Sequence, residues 1–187
     1  GKGRAGDASV LSYMGEMEGF GVSIVEEVKL DGETYSSTRI RDLLGKGDPR
    51  GAARLLGRWW TVETHVRTGD QRGRTIGFPT ANLALEDHVE PALGVYAVKI
   101  ELEDGPYKGI YDGVANLGRR PTFDKQDVVL EVHIFDFAGD IYGHHAAVSF
   151  IEFLRPEQKF SGLDALKAQI AKDSEKARQV LAALPGA

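Results

Sequence analysis

Gly94-Val-Tyr-Ala-Val-Lys-Ile-Glu-Leu102 carries an apolar residue at every second position from Tyr96 to Leu102. Successive side chains of a β-strand point to opposite faces, so this period of two predicts a strand with one buried face. The Asp104-Gly105 pair that follows is a turn signal. We therefore predict a strand that ends in a tight turn and pairs with an antiparallel neighbour.

Similar runs recur at short intervals on both sides of this stretch. The other predicted strands cover residues 60–66, 108–116, 128–137 and 146–154. Closely spaced strands of this kind are typical of an antiparallel barrel. Apolar residues then recur at helical spacing from Leu163 to Leu184, which predicts a C-terminal helix packed on the barrel. Ser161 and Asp164 have the spacing of a capping box at the start of that helix.

The first 56 residues have a different, mixed pattern. We predict a helix capped by Asp7, a strand over residues 21–28, and two short helices, one after Ser36 and one ending at Gly57. These elements are typical of an α/β fold, but there are too few of them to form a doubly wound sheet. The expected organisation is a segment over residues 1–56 followed by a barrel domain over residues 57–187.

The composition narrows the function classes. The chain has 187 residues, 42% hydrophobic and 27% charged, which is ordinary for a globular protein. A net charge of −5 argues against binding along a nucleic-acid backbone. There are no cysteines, hence no disulfide or thiolate metal site, and a cytoplasmic location is expected. No apolar run approaches the ~18 residues of a membrane-spanning helix, so we expect no membrane association.

The stretch from Gly69 to Asn82 has the composition of a phosphate-binding loop. Its glycines allow the backbone to approach a ligand closely, and its arginines offer forked donors to phosphate oxygens. Thr80 and Asn82 place a hydroxyl and an amide carbonyl on one side of an extended segment, and Mg²⁺ prefers such oxygen ligands. The stretch matches neither the Walker loop nor the dinucleotide fingerprint. The alternative is an ordinary glycine-rich turn before a strand.

Leu130-Glu-Val-His-Ile-Phe-Asp-Phe137 is the predicted strand with the clearest chemistry. Leu130, Val132 and Ile134 share one face, which puts Glu131 and His133 on the other. A carboxylate held on a strand can act as a general base toward a substrate hydroxyl. Two alternatives remain open at this point: Glu131 is a solvated surface residue, or His133 is the base. A single strand histidine is more often a hydrogen-bonded structural residue.

Several short motifs, taken in order, resemble the riboflavin kinase family over about residues 58–184. They are Gly77-Phe-Pro-Thr-Ala-Asn82, Ala115-Asn-Leu-Gly-Arg-Arg-Pro-Thr-Phe123, Leu130-Glu-Val-His133, Ile141-Tyr-Gly143 and Leu154-Arg-Pro-Glu157. The resemblance implies a mainly β fold: a six-stranded antiparallel, Greek-key-like barrel with a C-terminal helix. It also implies transfer of the γ-phosphate of ATP to the 5′-hydroxyl of riboflavin, with FMN and ADP as products.

The resemblance also implies residue roles. Thr80 and Asn82 would hold Mg²⁺, and Glu131 would be the catalytic base. The residues implied at the ATP site are Gly69, Arg72, Gly73, Arg74, Gly77, Pro79, Thr80 and Asn82. Those implied on the riboflavin side are Asn116, Arg119, Arg120, Thr122, Glu131, Tyr142, Arg155 and Phe160. From the residues alone, the alternatives are that Arg155 caps the helix or pairs with Glu157, and that Phe160 makes an apolar contact at the helix start.

Residues 1–56 resemble the final part of the FMN adenylyltransferase module that precedes the kinase in bacterial FAD synthetases. The resemblance rests on Gly1-Lys-Gly-Arg-Ala-Gly-Asp7 and Ser36-Ser-Thr-Arg-Ile-Arg41. The His-containing nucleotide motif of that module is not in this sequence, so we expect no adenylylation of FMN. We interpret Ser37–Arg39 as an ordinary helix cap. Two alternatives to a kinase remain: a flavin- or nucleotide-binding module without turnover, and self-association through residues 1–56.

Overall fold

In a computed structural model of the chain, residues 7–26, 28–30, 32–68, 77–86, 88–121 and 126–184 are described. They form two compact units, and the chain passes from the first to the second between Tyr35 and Ser36.

The first unit contains one helix and one small strand pair. Helix α1 (Ala8–Glu18) is capped by the Asp7 carboxylate, which accepts from the backbone N–H of Ser9 and Val10, so the predicted cap is confirmed. Strands β1 (Lys29–Leu30) and β2 (Glu33–Thr34) pair antiparallel. The predicted strand over residues 21–28 is wrong, because residues 21–26 and 28 belong to no strand. High β-propensity forms a strand only where a partner strand is available.

The second unit is built on a six-stranded antiparallel sheet. Its strands are β3 (Thr61–His65), β4 (Ala81–Ala84), β5 (Gly94–Leu102), β6 (Gly109–Pro121), β7 (Gln126–Ile134) and β8 (His145–Pro156). Their spatial order is β3-β8-β5-β6-β7-β4. Strands β5, β6 and β7 follow one another as hairpins, and β8 returns to lie beside β5, which is a Greek key.

The sheet closes into a barrel through its two edge strands. Arg67, just beyond β3, forms an antiparallel bridge with Asn82 of β4, and the Arg67 N–H donates to the Asn82 carbonyl at 2.7 Å. Large apolar side chains fill the barrel, each less than 2% exposed: Tyr96, Ile100, Leu102, Leu117, Leu130 and Phe150. The expected fold, a six-stranded Greek-key barrel, is confirmed.

Two short helices pack on the barrel within the same unit. They are α2 (Ser37–Gly45), capped by Ser36, and α3 (Pro49–Leu56), which ends at Gly57 with a left-handed φ of 70°. Leu44 and Ala52 belong to the barrel's own core cluster. The compact unit therefore starts before residue 57, where the sequence pattern changes to strands.

The C-terminal helix α4 (Leu163–Ala182) lies on the outer face of the barrel. Its Ala177 and Leu181 are buried against a second apolar cluster that includes Val95 and Ile151 of the barrel. The predicted capping box is wrong: the N-cap is Gly162, and no side chain caps the helix. Ser161 lies one residue too early to reach the free N–H groups. Among the described residues, no helix combines the length and apolarity needed to cross a bilayer.

Candidate active site

A row of residues in register runs across five barrel strands. Asn82 of β4 lies opposite Glu131 of β7, which lies opposite Asn116 of β6. The row continues through Val95 of β5 to Arg155 of β8. Residues paired in this way share a face of the sheet, with neighbouring Cβ atoms about 5 Å apart. The sequence neighbours of the first four residues include Leu83, Leu130, Leu117 and Tyr96, which fill the barrel core, so the row faces outward. Three of the predicted site residues thus become immediate neighbours.

This row forms the floor of a cleft between the barrel and α4, which we call the first cleft. All five residues of the row line it, and its volume is about 480 Å³. Leu166, Ile170 and Asp173 of α4 form one wall. Phe78 and Phe160 contribute aromatic rings at the rim. The cleft therefore combines apolar walls with a few polar groups, as small-molecule sites commonly do.

Thr80 and Asn82 lie where the loop enters β4. Thr80 is half-buried, whereas Asn82 is 7% exposed. The Asn82 amide nitrogen donates to the Thr80 carbonyl at 3.4 Å, which places the amide oxygen on the opposite side of that group. Gly77 has a φ of 89°, a conformation that favours glycine, at the turn into this segment. A hydroxyl and an amide oxygen beside the Glu131 carboxylate are a donor set that fits Mg²⁺.

His133 has a structural hydrogen bond. Its Nδ1 lies 2.9 Å from the carbonyl oxygen of Pro79. A carbonyl oxygen only accepts, so Nδ1 carries the hydrogen and donates it. The ring also makes edge-to-face contacts with Phe78 and Phe135, at centroid distances of 5.4 and 5.9 Å. This hydrogen bond fixes the tautomer of His133, with the hydrogen on Nδ1 and the lone pair on Nε2.

Arg155 pairs with Asp173 of α4, and not with Glu157 as the alternative from the sequence supposed. Its Nε lies 3.0 Å from both carboxylate oxygens, and its Nη2 lies 2.8 Å from Oδ2. The guanidinium also lies 5.7 Å from the centre of the Phe160 ring. Asp173 is 6% exposed and also accepts from Gln169 at 2.9 Å. The pair fixes α4 at the wall of the first cleft.

Two further residues of the β6 segment line the same cleft. Arg119 is exposed and forms an ion pair with Glu90. Gly118, next to it, is buried against a side chain of the loop after β8: a Cβ at this position would lie 2.4 Å from a Glu157 carboxylate oxygen and 3.1 Å from the Asn116 amide nitrogen. The absence of a side chain at position 118 therefore makes room for both polar groups.

Tyr142 lies in a separate, second cleft of about 580 Å³. Its walls are largely apolar and include Pro79, Phe137 and Ile141. Thr80 lines this cleft as well as the first one. The two clefts therefore meet on either side of Thr80, and Tyr142 is separated from the other residues predicted on the riboflavin side.

Gly69, Arg72, Gly73, Arg74 and Thr122 lie outside the described residues. Arg120 is described by its backbone, which pairs with that of Asp127 at the end of β6.

The sequence did not lead us to predict that Asp173 and helix α4 line the site. Asp173 follows Ile170 by three residues and precedes Ala177 by four, so it falls within the apolar stripe of the predicted helix. A carboxylate in an apolar stripe implies a buried partner, since an unpaired buried charge is costly. That signal would have pointed to an arginine such as Arg155.

Comparison with known proteins gives one consistent result. A family model described as Flavokinase, riboflavin kinase, matches residues 56–181. The bifunctional riboflavin kinase/FMN adenylyltransferase of Haemophilus influenzae is 43% identical over 178 residues, which cover 95% of this chain and 57% of that protein. The Escherichia coli K12 protein of the same description is 42% identical over 180 residues, covering 96% and 56%.

A solved structure agrees with this fold over most of the chain. A crystal structure described as a macrolide-efflux protein from Streptococcus pneumoniae superposes with a TM-score of 0.77 and 37% identity, covering 92% of this chain and 55% of that chain. This chain spans little more than half the length of the relatives that it matches.

Proposed function

Because this chain belongs to the riboflavin kinase family, we propose that it transfers the γ-phosphate of ATP to the 5′-hydroxyl of riboflavin, giving FMN and ADP. The observation that carries the proposal is the row in which Asn82, Glu131 and Asn116 lie side by side on the floor of the first cleft. Phosphoryl transfer needs mainly positioning, charge neutralisation and one group that orients the nucleophile. This row supplies neutral oxygens and one carboxylate at a single place.

Glu131 is the catalytic base of this proposal. As the riboflavin hydroxyl oxygen forms its bond to the γ-phosphorus, the Glu131 carboxylate accepts the hydroxyl proton, and the bond from phosphorus to the ADP oxygen breaks. The base must touch the hydroxyl that reacts. Since Glu131 lines the first cleft, riboflavin belongs in that cleft, between the barrel and α4. The apolar side chains Leu166 and Ile170, together with Phe160, suit the flat faces of a flavin.

The second cleft is our proposed nucleotide site. It shares Thr80 with the first cleft, so a γ-phosphate near Thr80 lies within reach of a hydroxyl beside Glu131. Its apolar residues, with Tyr142 at the rim, suit the adenine base. The proposed contacts Gly69, Arg72, Gly73 and Arg74 precede Gly77 in the sequence and lie outside the described residues.

We also propose that the site binds Mg²⁺ together with ATP. We assign Thr80 and Asn82 to it because hydroxyl and amide oxygens next to phosphates suit its preference for oxygen ligands. When bound, the ion would neutralise the charge of the phosphate oxygens. In the part of the chain described, no group of three or more His, Asp or Glu side chains is arranged to hold a metal ion.

The remaining proposals concern residues 1–56 and the cellular setting. We propose that these residues are the final part of an adenylyltransferase module and that they do not by themselves convert FMN to FAD. Self-association through the part of this segment that precedes the barrel unit is tested by sedimentation of a variant that begins at Ser36, because α2 and α3 belong to the compact unit of the barrel. An unchanged assembly state would refute it.

A cytoplasmic location and the lack of nucleic-acid partners follow from the composition and stay predictions.

Glu131→Gln tests the proposed base, because it removes the negative charge and keeps the shape. Glu101→Gln is a matched control: Glu101 is an exposed glutamate on β5, which β6 separates from β7, and it does not line either cleft. We expect FMN formation to fall by about 10²–10⁴-fold in E131Q, with riboflavin still bound, and to stay at the wild-type level in E101Q. Wild-type turnover in E131Q would remove Glu131 from the mechanism. Binding without turnover in the wild type would favour the non-catalytic flavin-binding module.

A further inference from the structure

His133 forms a hydrogen bond to the segment that carries the proposed metal ligands. The bond lies just beyond the last β4–β7 backbone pair. The β4–β7 ladder reaches only as far as the pair Ala81 and Val132. Thr80 precedes that pair, and Pro79 has no N–H with which to join a ladder. The His133 Nδ1 hydrogen bond to the Pro79 carbonyl, at 2.9 Å, continues the attachment to β7 beyond the last pair.

The other end of the same segment is also fixed. The carbonyl of Asn82 accepts from the Arg67 N–H at 2.7 Å, on the side of β4 that faces β3. Thr80 therefore lies between two backbone anchors, one at Pro79 and one at Asn82. Anchors on both sides restrict the φ and ψ angles of residues 80 and 81, and with them the positions of the Thr80 hydroxyl and the Asn82 amide.

We propose that His133 is a positioning residue: its hydrogen bond to Pro79 holds Thr80 and Asn82 in the geometry that binds Mg²⁺ and the nucleotide phosphates. The inference rests on the proposed function and assigns no proton transfer to the imidazole. Groups that orient metal ligands from the next layer typically contribute 10–100-fold in metal affinity or activity. His133 acts on the backbone beside the ligands, so its contribution belongs near the lower end of that range.

Two variants separate the hydrogen bond from the packing of the ring. His133→Phe keeps a ring against Phe78 and Phe135 but has no donor. His133→Asn loses the ring and keeps an amide N–H the same number of bonds from the backbone as Nδ1. His88→Phe is the matched control, since the Nδ1 of His88 lies 2.7 Å from the Leu85 carbonyl and its ring contacts Trp60 edge to face. His88 does not line either cleft.

The binding of ADP in the presence of Mg²⁺ is measured by calorimetry for each variant and for the wild type. We expect the dissociation constant to rise about tenfold in H133F, by no more than about threefold in H133N, and not at all in H88F. Deuterium exchange of residues 78–84 without ligand is the second measurement, and we expect it to be faster in H133F alone. If H133F does not fold, His133→Ala takes its place.

An H133F dissociation constant within about twofold of the wild type would overturn the inference, as would H133N binding as weakly as H133F. If the wild type binds Mg²⁺ADP but forms no FMN, the proposed kinase function fails while these two measurements still decide the role of His133. If the wild type forms FMN and H133F behaves like it in both measurements, only the role of His133 is refuted.

Discussion

The ion pair between Asp173 and Arg155 provides a sharp test of how α4 is held on the barrel. In Asp173→Ala, the guanidinium of Arg155, 18% exposed, loses a carboxylate that accepts from its Nε at 3.0 Å and its Nη2 at 2.8 Å. Breaking a buried pair from one side costs about 3–5 kcal/mol, because a charge stays behind without its partner. Arg155 keeps a 2.9 Å hydrogen bond to the Pro156 carbonyl, so we expect a loss near the lower value, about 3 kcal/mol.

The assay is equilibrium unfolding in urea, followed by thermal unfolding. A loss of about 3 kcal/mol corresponds to a decrease in Tm of roughly 6–12 °C for a chain of this size. Asp136→Asn is the control, because Asp136 lies just after β7 and accepts from Arg178 of the same helix at 2.7 and 3.0 Å while its side chain is 80% exposed. We expect D136N to unfold almost like the wild type, because solvent screens an exposed pair.

A double variant separates the lost pair from lost packing. Replacing the pair by apolar residues, Arg155→Met with Asp173→Leu, removes the unpaired charge and should recover much of the stability lost in D173A. If D173A instead unfolds within about 1 kcal/mol of the wild type, as an exposed pair would, then this contact does not fix α4 and the reasoning is refuted.

Three further predictions concern single residues, each measured by the free energy of unfolding. Gly94→Ala should lose about 2 kcal/mol or more, because Gly94 has a φ of 152° and a Cβ there would lie 2.4 Å from the Arg155 carbonyl oxygen; an unchanged stability would contradict this. Gly162→Ser should gain roughly 0.3 kcal/mol, because α4 has no side-chain cap, its N-cap is extended, and serine is only slightly better than glycine at an N-cap. No gain would show that the serine does not cap. Burial raises the pKa of the Tyr96 phenol above its usual 10.0. The folded state therefore favours the neutral phenol, and the free energy of unfolding stays constant below pH 10 and falls as the pH rises above 10. Tyr96→Phe should lack that alkaline loss while also losing the hydrogen bond to Ala92, and an equal loss in both proteins would refute the assignment.

The barrel was predictable because its signals are local. The alternation of Gly94–Leu102 gives a strand with the observed bounds, and the same period on Leu130, Val132 and Ile134 gives the core face of β7. Residues 21–28 have the propensity of a strand but not the pairing, and pairing depends on distant residues. The start of α4 shows the same limit, since the observed N-cap lies one residue after the predicted one.

The site was predictable only in part. The face of Glu131 follows from alternation, but its neighbours Asn82 and Asn116 come from strands distant in sequence, and only the register brings the three together. The partner of Arg155 is a residue of α4, which the sequence next to Arg155 does not reveal. The division of the site into two clefts around Thr80 is likewise a property of the closed barrel.

The most direct test of the central claim is the product of the purified chain. Riboflavin, ATP and Mg²⁺ are incubated with it, and the flavins are separated by chromatography. We predict FMN and no FAD, with Glu101→Gln forming FMN like the wild type and Glu131→Gln forming almost none. Riboflavin that is bound but not phosphorylated by the wild type would contradict the kinase, and FAD among the products would contradict the predicted loss of adenylylation.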